Sequence, residues 1–333
     1  MEKDYAVSSI RLIATAMVVV LHILQRLESI SPNLHVLTDW FNLGLVLFFC
    51  ISGYLYSSRT ITQREWIWHR YKEIVIPSTI TVMATLVLYS LCIEVPDRKI
   101  IAYSMASGLG FEALVPNGWM FIQLWFLTYI LLCYLSVPFI QKIKVRDMSE
   151  MQFWGMLVAS TAAFQGVSML IKRFFDIPTL GWGVLLRFYL SYFLYRRYEG
   201  SNRQKKVYKW MSIASIFLLI FVCFSRYVVR FDGIASAIAE ILFIYTQTIM
   251  GTVLFYHLRR FFQTHRISEK LLKLSDKYAY SVYLTHCLFI GYNTSVIFKC
   301  SNIAVGIATA LLLTAIASFF VTKMAERVKF ILK

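Results

Sequence analysis

Acidic residues are scarce in this 333-residue chain: 18 Asp and Glu stand against 34 Lys and Arg, and the four charged types together make up 16%. With 58% hydrophobic residues and a mean hydropathy of +0.62, so small a charged fraction excludes a disordered chain and argues against water as the solvent. Proline (6) and glycine (14) are too few for a low-complexity tract, and no linker or shift in composition divides the chain. A single integral-membrane domain covering 1–333 is the expectation. The six cysteines, at 50, 92, 133, 223, 287 and 300, form no C-x-x-C pair and lie mostly within apolar runs. They read as small packing residues, so no disulfide framework and no metal site is expected.

Long apolar windows are what the chain has instead, each near the roughly 20 residues that cross a bilayer. Ten stand out: 7–26, 40–57, 74–94, 119–140, 152–171, 180–196, 210–226, 234–256, 278–298 and 303–322. They predict an all-α polytopic transmembrane bundle of about ten helices. The first window lacks a small-x-small cleavage site and has Arg11 near its start, so it reads as a retained span. Trp119, Trp125, Trp182 and Trp210 fall near window ends, where interfacial aromatics are expected.

The formal net charge of +16 raises the question of nucleic acid, and its distribution answers it. With the N-terminus placed inside, 24 basic residues fall on the cytoplasmic side and eight on the other, with Arg11 and Arg187 inside windows. That bias is the positive-inside pattern: both termini cytoplasmic, an even number of spans, and a multi-pass protein of the cell membrane. The cations are shared among loops facing anionic lipid, so membrane lipid is the expected partner and nucleic acid is not. Oligomeric state leaves no mark in the sequence.

Ionisable residues inside apolar windows are the informative ones, because each costs about 2.5–3.5 kcal/mol at mid-membrane on insertion scales. Arg11, His22, Arg187, Glu240 and His286 qualify. On a helix the eleven residues from Arg11 to His22 turn about 1100°, roughly 20° past three turns, so both share one stripe about 16 Å apart and can line one cavity. Arg11 reads either as a snorkelling anchor or as a ligand-holding cation, and His22 either as a neutral imidazole bonded between helices or as a base. Arg187 and Glu240 read as mutual counter-ions; Glu240 orienting His22 is the other option. His286, with Tyr280 and Tyr283 nearby in sequence, reads as a hydrogen-bonding residue or an alternative base. Cys287 makes a poor acyl carrier, since it points about 100° from His286 and an apolar site disfavours the thiolate.

Arg11 and His22 as R-x10-H, LFFCISGYLYS (47–57), QLWFLTYILLCYLSVPFIQ (123–141) and YAYSVYLTH (278–286) occur in that order. Together they resemble the acyltransferase-3 family of polytopic membrane acyltransferases, over nearly the whole chain. The likeness is strongest to surface-polysaccharide O-acetyltransferases without an appended esterase domain. It implies transfer of an acetyl group from cytoplasmic acetyl-CoA to a hydroxyl of a carbohydrate acceptor, and it assigns the arginine and histidine of the motif to Arg11 and His22. Ser8 stands where many members carry an acidic residue, and Val46 where some carry an acidic or polar one. On physical grounds a positioned imidazole can take the proton of an attacking sugar hydroxyl, so His22 is the expected general base. The cytoplasmic segment 59–73 offers Arg64, Arg70 and Lys72 for coenzyme A phosphates and Trp66 and Trp68 for adenine, although any inside loop is basic. A transporter or flippase for a lipid-linked sugar is the competing class, without the internal duplication common in transporters.

Overall fold

The computed structural model describes residues 4–59, 64–92, 95–114, 121–175, 182–225, 233–291 and 295–331. Twelve α-helices and no strand occur among them: α1 (Tyr5–Leu27), α2 (His35–Phe41), α3 (Leu43–Ser57), α4 (Arg64–Cys92), α5 (Arg98–Gly108), α6 (Trp125–Ile140), α7 (Glu150–Phe175), α8 (Trp182–Tyr198), α9 (Gln204–Cys223), α10 (Gly233–Thr264), α11 (Glu269–Ile290) and α12 (Ile303–Ile331). Each of the ten apolar windows contains a helix. Seven helical segments, in α1, α2–α3, α4, α7, α9, α10 and α12, are long and apolar enough to cross a membrane. α6 and α8 are short, at 16 and 17 residues, and α11 carries charge through its first half. Trp119 lies outside the described residues.

Local chemistry sets the helix starts. The Asp4 carboxylate accepts from the amides of Ala6 and Val7 at 3.0 and 3.2 Å, and Asp97 accepts from Ile100 N at 2.7 Å, which fills donors that a helix start leaves open. Ser149 and Gln152 form a reciprocal capping box at the head of α7: Gln152 N donates to the Ser149 hydroxyl at 3.2 Å and Ser149 N to Gln152 Oε1 at 2.8 Å.

The chain forms two compact units, 1–14 with 43–61 and 136–267, and 15–42 with 62–135 and 268–333. In the first, α3 packs closely on α8 because Gly53 has no side chain: a Cβ there would stand 2.5 Å from Phe188 O and 2.9 Å from Tyr192 N. The Ser191 hydroxyl donates to Cys50 O at 2.9 Å across the same contact. α9 meets α10 through Tyr208 and Tyr256, stacked 3.9 Å apart. The last turn of α8 is a latch. Arg196 donates to Ser57 O at 3.0 Å and Gln141 O at 2.8 Å, and Arg197 donates to Val145 O and, at 2.9 Å, to Met148 O. These are carbonyls at and just beyond the C-terminal ends of α3 and α6, where acceptors lack intrahelical donors. Arg259 on α10 sits 3.6 Å from Asp4 and 3.2 Å from Glu199, with its guanidinium 4.2 Å from the centre of the Tyr54 ring.

In the second unit α11 and α12 zip together through buried hydroxyls, Ser281 with Thr322 at 2.7 Å and Thr285 with Ser318 at 2.9 Å. Such pairs satisfy polar groups where lipid offers no partner. The Tyr280 hydroxyl donates to Ile74 O at 2.7 Å, tying α11 to α4, and Lys329 meets Glu73 at 2.9 Å. Large apolar side chains such as Phe217 and Phe221 on α9 and Leu312 and Phe320 on α12 are exposed, as suits a surface bathed in hydrocarbon.

Candidate active site

α1 enters the second unit by packing Val19, Ile23 and Leu27 on a core of Ile290, Ile297 and Ala310. These residues share one stripe of α1, and His22 lies beside that stripe. α11 supplies the facing group. The rings of His22 and His286 lie 4.9 Å apart, tilted by 45°, with His286 fully buried and His22 half-buried.

The surroundings of His286 decide its tautomer. Its Nδ1 is 3.1 Å from Val282 O, and a carbonyl can only accept, so Nδ1 carries the proton and Nε2 the lone pair. Nε2 in turn lies 3.3 Å from Sγ of Cys287, which donates. The His22 side chain is hydrogen-bonded to that of Gln25, one turn on.

A second layer stands behind the pair. The Tyr283 ring is 5.9 Å from His286, and its hydroxyl donates to Gln123 O. Gln123 lies in the short 3-10 turn Ile122–Leu124 before α6; its Nε2 reaches Leu284 O at 3.5 Å while its buried Oε1 has no hydrogen-bond partner among the described residues. A buried amide oxygen left open costs about 1–3 kcal/mol, which marks the position as built for a donor from elsewhere. Glu112, also buried, follows α5 in the short turn Glu112–Leu114. Burial pushes its carboxyl up to about 7, against a bond from the Ser107 hydroxyl that pulls it down. Its charge also acts on the Tyr283 hydroxyl.

The predicted residues thus divide. His22, His286 and Tyr283 come together. Arg11 is half-buried on α1, in the part of the helix that belongs to the first unit. In that unit Arg187 is buried and its Nη2 donates to Gln247 Oε1 at 3.4 Å, while Glu240 stands at an exposed position of α10. Of the basic trio on α4, Arg70 is half-buried and Lys72 rests 5.4 Å over the Trp68 ring, which stacks on Tyr71 at 5.7 Å. The Arg64 side chain lies outside the described residues.

Sequence reasoning passed over Gln123 and Glu112. Gln123 opens one of the quoted blocks and is a polar residue at the edge of an apolar run, a signal that was present. Glu112 is an isolated acid in a stretch that reads as a plain loop, and nothing in the sequence distinguishes it. What the arrangement can do is move a proton: two imidazoles in ring contact, one with its tautomer set by a backbone carbonyl, beside a hydroxyl and an open amide acceptor.

A family model described as an acyltransferase domain, Acyl_transf_3, matches residues 4–323. No curated protein and no solved structure matches the chain. With a match over nearly its whole length and apolar helices to span a bilayer several times, the chain belongs to the acyltransferase-3 family and is a multi-pass membrane acyltransferase.

Proposed function

We propose that the protein is an O-acetyltransferase of the bacterial inner or plasma membrane, moving an acetyl group from cytoplasmic acetyl-CoA to a hydroxyl of a cell-surface polysaccharide or lipid-linked glycan. The observation that carries this reading is the His22–His286 pair, in ring contact between apolar helices with His286 buried and its tautomer set by Val282 O. His22, the less buried of the two, is the general base: it takes the proton of the sugar hydroxyl as the oxygen attacks the thioester carbonyl. The new C–O bond forms, the C–S bond breaks, and the thiolate of coenzyme A leaves with the proton returned from the His22 imidazolium. The neutral His286 ring, in contact with His22 at 4.9 Å, orients the His22 imidazole, a positioning role. Tyr283 and Gln123 contribute the open acceptor that can orient a sugar hydroxyl.

The donor end belongs to the cations. The α4 residues Arg64, Arg70 and Lys72 carry the phosphates of acetyl-CoA, and exposed Trp68, with Lys72 at one face and Tyr71 stacked on it, offers a platform for adenine. No metal enters this transfer.

The test is label transfer from acetyl-CoA to glycan in membranes. His22→Ala lowers turnover by about 10²–10⁴-fold, the usual contribution of a positioned base. Near-normal turnover in that variant removes His22 from the chemistry. Polysaccharide from cells lacking the gene, lighter by one acetyl group per modified unit, identifies the acyl group and the acceptor together.

A further inference from the structure

The cysteine spacing gives no hint of a metal site, yet the fold gathers three donors of the kind that hold one. His22, His286 and Cys287 each present a ligand atom, and the three atoms lie within 4.8 Å of one another. We infer that this cluster is a binding site for a borderline-soft divalent cation of the zinc type, and that occupancy switches acyl transfer off.

Donor chemistry selects the ion. Two imidazole nitrogens and a thiolate suit Zn²⁺ and its analogue Co²⁺ and are poor partners for Mg²⁺ or Ca²⁺, which require oxygen. Spacing agrees. The 3.3 Å between His286 Nε2 and Cys287 Sγ is close to the edge of a tetrahedron built on the usual zinc bonds, roughly 3.5 Å. His22 closes the triangle with a small ring movement, and the fourth position is left to water.

An outer-shell bond is in place as well. Histidines that bind metals donate their other ring N–H to an oxygen that fixes the tautomer, and His286 does so through Nδ1 to Val282 O at 3.1 Å, so the Nε2 lone pair can pass from the Cys287 S–H to the ion. His286 and Cys287 are buried, which limits water around the cluster. On binding, the Cys287 thiol loses its proton to solvent and a metal–sulfur bond forms, while both imidazoles enter neutral, so uptake releases a proton. The ion then takes the lone pair by which His22 would accept the substrate's proton. That last step rests on the reading of His22 as the base; the binding does not.

The experiment uses the full-length protein in detergent, stripped with chelator and titrated with Co²⁺ under near-ultraviolet absorption. A thiolate-to-cobalt charge-transfer band saturating at one ion per chain, and displaced by Zn²⁺, is expected. Cys287→Ser loses the band and His286→Ala binds at least about 100-fold more weakly, by comparison with the 10–100-fold lost when only outer-shell partners are changed. Cys50→Ser, in the other unit, keeps the band and controls for folding and for adventitious thiols. Absence of the band in the unaltered protein, or an unchanged band in Cys287→Ser, overturns the site. Zinc that binds without stopping label transfer overturns the switch. If His22→Ala turns over normally while cobalt still binds the unaltered protein, the base assignment fails and the metal site stands.

Discussion

Gly53→Ala tests the packing of the first unit with one methyl group. A Cβ at this position meets two backbone atoms of α8, Phe188 O at 2.5 Å and Tyr192 N at 2.9 Å, where ordinary contact begins at 3.4 Å. Neither atom belongs to a rotatable side chain, so α3 and α8 must part by about 1 Å. Overpacking of this kind costs about 1–3 kcal/mol, and a rigid obstacle places it at the upper end. Alanine in a helix interior recovers about 1 kcal/mol relative to glycine. The balance is a loss of about 2 kcal/mol. Gly155→Ala in α7 supplies the opposite sign, because nothing lies within 4 Å of its Cβ and only the helix gain of up to about 1 kcal/mol remains. Thermal unfolding of both purified variants in one detergent gives the comparison. A Gly53→Ala protein as stable as the parent would falsify the close approach of α3 and α8.

Other perturbations probe the remaining sites. Arg70→Ala and Lys72→Ala raise the KM for acetyl-CoA about 10- to 100-fold, the worth of one charge-assisted bond, and change kcat little; unaltered KM in both places the donor elsewhere. Glu112 holds its proton in the native protein up to about pH 7, whereas the unfolded chain loses it near the ordinary 4.5. The native state therefore binds more protons between those values and stability falls as pH rises through them, a slope that Glu112→Gln abolishes in melting curves taken from pH 4.5 to pH 7. Arg259→Ala leaves Asp4 and Glu199 without their shared cation and lowers stability by about 1–3 kcal/mol in the same melting assay. If Arg259→Lys restores the loss fully, the flat guanidinium over Tyr54 is not what matters there.

How much of this could be read in advance differs from element to element. Helices announce themselves where apolar residues run on, so every window of the sequence holds one. α2 and α5, of 7 and 11 residues, were not expected, since they complete too few turns for a period to show. Among the described residues seven helical segments meet the length and hydropathy of a membrane span, because α6 and α8, at 16 and 17 residues, are too short and α11 begins with Glu269 and Lys270, charges that dilute an otherwise apolar stretch. His22 and His286 were each legible as costly residues in apolar surroundings. Their pairing was not, because 264 positions separate them and only the packing of α1 on α11 brings them within 4.9 Å. The lone pair of His286 and the open oxygen of Gln123 depend on hydrogen bonds to backbone carbonyls, which carry no side-chain signature at all.

Arg196 and Arg197 give two meanings to one pair of letters. To the machinery that inserts the chain they are part of the positive bias that orients neighbouring spans; in the finished protein their guanidinium forks close the ends of α3 and α6 and the bend after it. Lysine at both sites would preserve the first message and erase much of the second, since an ammonium lacks the planar fork that reaches two carbonyls at once. A protein altered that way is expected to thread the membrane in the correct sense and then fail to lock, which makes this corner a place where insertion and folding can be pulled apart experimentally.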